Sequence, residues 1–69
     1  MISNILQQNI EQLPTILSIQ ETADFLAANY RTVLHLIHAE RLPAWKDDEG
    51  NWCIARMDLK VFCIKNVSL

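Results

Sequence analysis

Three side chains near the middle of the chain carry its most usable chemistry. Arg31, His35 and His38 fall at i, i+4 and i+7, so a helix through them places all three on one face. Arg presents a planar fork that bonds bidentately to guanine O6 and N7, and His donates or accepts at base edges. Such a face suits the floor of a DNA major groove. Tyr30 and Thr32 at the start of that helix, and Arg41 and Lys46 beyond its end, are residue types that hold backbone phosphates. An exposed Arg/His face is also an ordinary solvated helix surface, so the surrounding elements decide between the two.

No other constellation competes with this one. There is no Ser/His/Asp or Cys/His arrangement, and a single glycine leaves no loop to cradle a phosphate, so neither an enzyme nor a cofactor is expected. The two cysteines, Cys53 and Cys63, form no Cys-x-x-Cys pair and lie far along the chain from the histidines. That spacing argues against zinc, and two reduced, mostly packed thiols are expected. The opening Met1-Ile2-Ser3-Asn4 carries no basic residue and leads into no long apolar run. It reads as neither a secretory signal nor a membrane span, and a cytoplasmic location is expected.

Composition pulls in two directions. A chain of 69 residues makes a small core, burying only ~60% of the surface its unfolded form exposes. Yet 51% of the residues are hydrophobic, which leaves apolar surface for a partner, a second copy included. Six Lys and Arg stand against eight Asp and Glu, whereas nucleic-acid-binding modules are usually basic.

The elements read as follows. Ile2, Ile5, Leu6, Ile10 and Leu13 repeat with helical rhythm, Ser3 can cap the start and Pro14 stops continuation. This predicts an amphipathic N-terminal helix over residues 2–13. Ser18-Ile19-Gln20-Glu21 matches a capping box. The helix after it should bury Ile19, Thr22, Ala23 and Leu26. Asn29 can cap the next helix, whose inward face is Val33, Leu36 and Ile37. No glycine ends it, and Arg41 occupies the position where one is favoured. Residues 42–46 and 52–55 read as two short strands around Asp47-Asp48-Glu49-Gly50-Asn51. Alternation turns Trp52 and Ile54 inward and Cys53 outward, while Trp45 could stay at the surface. A last helix over residues 56–66 should bury Leu59, Phe62 and Cys63.

In order and spacing, residues 17–62 resemble the excisionase-type, MerR-like winged helix-turn-helix family. The matching residues are Leu17-Ser18-Ile19-Gln20-Glu21-Thr22-Ala23, Thr32-Val33, Leu36-Ile37, Leu42-Pro43-Ala44, Trp52-Cys53-Ile54 and Asp58-Leu59. Three departures stand out. Cys53 occupies a position where the family commonly has Arg, the wing tip is Asp47-Asp48-Glu49 rather than glycine and basic residues, and Arg41 replaces the usual Gly. The first two remove phosphate contacts.

The resemblance implies a mostly α fold, a small winged helix-turn-helix at residues 17–69 with a two-stranded wing, preceded by the extra helix in residues 1–16. It implies sequence-specific binding of double-stranded DNA, as an excisionase-like recombination factor or a small transcriptional regulator. Tyr30, Arg31, Thr32, His35, His38, Arg41 and Lys46 are the candidate contacts. With three or four phosphate contacts the salt dependence should be shallow, ~0.9 per contact. Specific binding would then need a homodimer or cooperative neighbours, and the apolar face of residues 2–13 is the candidate contact. The rival class is a protein-interaction module that touches a partner, such as a recombinase, through the acidic wing or the N-terminal helix.

Overall fold

A computed structural model of the chain describes residues 10–67, so the apolar positions Ile2, Ile5 and Leu6 of the expected N-terminal helix lie outside the described residues. Of that segment, Ile10–Gln12 forms a short 3-10 turn. Then follow β1 (Ile16–Leu17), α1 (Ile19–Leu26), α2 (Tyr30–His38), β2 (Trp45–Lys46), β3 (Trp52–Ala55) and α3 (Arg56–Val67). The architecture is three helices around a small antiparallel sheet in the order β1-β3-β2.

The sheet therefore has three strands where the sequence suggested two. β1 is only two residues long, and no alternation can show in so short a run. Pairing fixes it instead: Ile16 lies opposite Ala55 and Leu17 opposite Ile54. On the far edge Trp45 pairs with Cys53 and Lys46 with Trp52, and β2 is shorter than the expected 42–46.

Local chemistry sets the helix starts. Glu21 N–H donates to Ser18 Oγ at 3.1 Å and Ser18 N–H donates to Glu21 Oε1 at 2.9 Å, the reciprocal capping box. Thr22 is fully buried, and its hydroxyl donates to Ser18 O at 2.9 Å, so the core takes it without an orphaned polar atom.

The helix ends carry strain. α1 closes with Ala27 at φ 56°, its N–H and that of Ala28 reaching back to Asp24 O and Ala23 O. α2 closes in the same way, but the left-handed residue is Glu40 at φ 60°, not Arg41 as the sequence suggested. Glu40 N–H donates to Ile37 O and Arg41 N–H to Leu36 O, a Schellman pair that satisfies the last carbonyls. The helix simply ends one residue earlier.

The core is formed by Leu17, Ile19, Ala23, Phe25, Val33, Ile37, Leu42, Ile54, Leu59 and Cys63. Phe25 is buried and Leu26 only half-buried, the reverse of a single-stripe reading. α1 packs against α2 on one side and β1 and β3 on another, so its buried face is wider than one stripe. Leu36 and Phe62 are likewise half-buried rather than buried. The N-terminal turn is strapped to α3: Arg56 Nη1 donates to Glu11 O at 3.1 Å and Leu13 O at 2.9 Å. Lys60 Nζ meets Glu11 Oε2 at 3.2 Å.

Side chains with a Cβ rarely adopt the conformation of Ala27 and Glu40. Ala27→Gly and Glu40→Gly should each raise stability, by about 0.5–1 kcal/mol after the greater unfolded-state entropy of glycine is counted. Thermal unfolding checks this. A fall in midpoint for both would contradict the strain.

Candidate nucleic-acid interface

α2 is placed by its cap and by its buried face. Asn29, extended at φ −101° and ψ 167°, accepts at Oδ1 from both Thr32 N–H and the Thr32 hydroxyl, each at 2.8 Å. Thr32 is exposed, but its hydroxyl proton is spent on the cap. Its contribution is to fix the start of the helix, and a phosphate contact would have to replace that bond. Val33 and Ile37 anchor the opposite side in the core, at 0% and 7% exposure.

That anchoring leaves Tyr30, Arg31, His35 and His38 all exposed, with Tyr30 at 50%. The Arg31–His38 row runs ~10 Å along the helix, at 1.5 Å per residue. Its far end reaches the hairpin through Trp52. The His38 ring lies edge-on to the indole, with centroids 6.0 Å apart and planes at 89°. Lys46 Nζ lies 5.0 Å from the centre of the Trp52 ring, within cation–π range. Trp52 is half-buried, neither a pure core residue nor an exposed stacking platform. It contacts both His38 of α2 and Lys46 of β2. Part of this is legible in the residue order. A hairpin turning at residues 47–51 sets Lys46 opposite Trp52, but the reach of His38 depends on tertiary packing.

Arg41 belongs to a different surface. It lines an open groove of about 550 Å3 together with Glu40, Asp58, Phe62 and Lys65. None of the other candidate contacts borders that groove, and two carboxylates share it.

The acidic tip is partly structural. Asp47 Oδ1 accepts from Glu49 N–H and Asn51 N–H, both at 2.9 Å, and Gly50 takes φ +83°. Asp47 thus closes its own turn. Asp48 and Glu49 are exposed at the tip.

Compared with family models, curated proteins and solved structures, the chain finds no match in any of the three. The residues themselves must carry the functional reading. Among the described residues no group of three or more His, Cys, Asp or Glu could hold a metal ion. No described helix is long and apolar enough to cross a membrane.

The thiols differ. Cys53 is half-buried on β3 with its Sγ 3.6 Å from Asn51 O, whereas Cys63 is buried in the core. Burial pushes the Cys63 thiol above its ordinary value, because the thiolate would lose its hydration. An upward shift means stability is full below the unfolded thiol's pKa, about 8.5. It falls as pH rises from there toward the higher folded value. Timed alkylation near neutral pH should modify Cys53 first and leave Cys63 protected until the domain unfolds. Equal rates in the folded protein would contradict this.

Proposed function

We propose that the domain is a small winged helix-turn-helix module that binds duplex DNA through α2, of the excisionase-type, MerR-like kind. In this reading α1 and α2, joined by residues 27–29, form the helix-turn-helix, and the β2–β3 hairpin is the wing. α2 enters the major groove. Arg31 and His35 read base edges, Tyr30 and Lys46 hold phosphates, and His38 extends the row toward the hairpin. The biological role is a recombination accessory factor or a transcriptional regulator.

One observation carries the reading above the others. The Trp52 indole, flanked by His38 and Lys46, draws the end of α2 and the base of the hairpin into one surface. In this reading Tyr30, Arg31, His35, His38 and Lys46 share that surface, although the chain as a whole has net charge −2. Asp48 and Glu49, at the far end of the hairpin, would repel phosphate, so the wing tip is held off the duplex.

Fluorescence anisotropy with labelled duplexes at low salt tests the proposal. Arg31→Ala should weaken binding by about 5- to 150-fold, since a good bidentate base contact contributes ~1–3 kcal/mol. The slope of log K against log salt should be no steeper than about −2, near 0.9 for each phosphate neutralised, because Arg31 and Lys46 are the cations of this surface. Asp48→Lys with Glu49→Lys should tighten binding to any sequence by bringing the tip into play. Absence of binding to every duplex, with Arg31→Ala indistinguishable from the parent, would refute the reading in favour of a protein-interaction module.

A further inference from the structure

Two of the three side chains in the exposed row of α2 are histidines. His35 and His38 share that face with Arg31, and His38 meets the Trp52 indole that also lies under Lys46. Among the described residues neither imidazole makes an ion pair or a hydrogen bond, so their ring nitrogens are uncommitted. Histidine is the side chain that changes charge between pH 5 and 8. The neutral ring donates from one nitrogen and accepts at the other, whereas the imidazolium only donates. Phosphate oxygens and guanine O6 and N7 only accept.

We propose that duplex binding through α2 is coupled to proton uptake by His35 and His38, so that this face holds DNA more tightly as pH falls from 8 to 6. The inference rests on the reading of α2 as a DNA-binding helix. With both rings protonated, Arg31, His35, His38 and Lys46 put four cations on this surface, twice the number present when both are neutral. A phosphate beside an imidazole favours its charged form, and a duplex supplies a dense array of phosphates. Protons are therefore taken up with the DNA and released with it, and by linkage the affinity rises as pH falls.

The charges around the two rings leave this coupling to the DNA. On α2 itself the neighbour is Arg31, four residues before His35, and from β2 it is Lys46. α1 packs against α2, but its carboxylates are engaged within their own helix. Glu21 accepts from Ser18 N–H in the capping box, and Asp24 accepts from Gln20 Nε2 at 3.0 Å. Past the end of α2, Glu40 lines the groove with Arg41. In the hairpin, Asp47 is held by its own turn, and Asp48 and Glu49 stand at the tip. None of these carboxylates is in an ion pair with either ring, so none holds the protons in place before a duplex arrives.

Anisotropy titration of the full chain with a labelled mixed-sequence duplex, at pH 8 and pH 6 and fixed ionic strength, is the test. Affinity should be about tenfold or more higher at pH 6, the worth of one hydrogen bond to a charged group. The slope of log K against log salt should steepen from about −2 at pH 8 toward about −3.5 at pH 6, as two further cations displace counterions at ~0.9 each. His35→Gln combined with His38→Gln should remove both pH effects and leave the circular dichroism spectrum unchanged, since both side chains are exposed. Binding at pH 8 that is no tighter at pH 6 overturns the inference and leaves the DNA reading standing. Binding at neither pH overturns both. A pH response that survives in the double variant belongs to another titrating group and overturns the inference equally.

Discussion

The pairing of β3 with both of its neighbours is the constraint on which the rest of this domain depends. Four residues, Trp52–Ala55, hold β1 on one edge and β2 on the other. Ile54, fully buried, faces Leu17 across the ladder and joins α1 to the sheet. α3 begins at the next residue, Arg56, whose backbone N–H donates to Thr15 O at 2.8 Å while its side chain ties down the N-terminal turn. Trp52, at the other end of the same strand, meets His38 and Lys46. Because side chains alternate along a strand, a one-residue slip would send Ile54 to solvent and pull Trp52 away from α2. Core and candidate interface are thus set by one register.

The charge of the chain makes more sense once its cations are located. Arg56 and Lys60 are engaged with the N-terminal turn. Arg41 and Lys65 line a groove that also holds Glu40 and Asp58. Arg31 and Lys46 remain on the α2–hairpin surface. Net charge is a sum over these separate surfaces, and a local field depends on what lies within about a Debye length, ~8 Å at physiological salt. An acidic total therefore does not by itself forbid an anion-binding face. It does imply few phosphate contacts and reliance on base readout or on neighbouring copies.

Most of what was legible in the sequence was local. The capping box at Ser18 and Glu21 and the Asn29 cap each involve residues within a few positions of one another and form as the spacing predicts. Ile54 is buried as its alternation predicts, whereas Trp52 and Cys53 are both half-buried. What escaped depended on distant partners. β1 is too short to show a period. Phe25 is buried because α1 is contacted from two sides. The left-handed residue is Glu40 rather than Arg41 because the last turn of α2 closes through Ile37 and Leu36. The candidate contacts were legible as a helix face. That Lys46 lies over Trp52, that Arg41 lines a separate groove, and that the Thr32 hydroxyl is taken by Asn29 are facts of packing and capping geometry.

Chemical-shift mapping on titration with duplex DNA tests the central claim most directly, since it reads every backbone amide at once. The account predicts shifts concentrated at residues 30–38 and at Lys46 and Trp52, with Asp48, Glu49 and the outer face of α3 unmoved. Shifts confined to α3 or to the acidic tip, or no shifts at any duplex concentration, would contradict it.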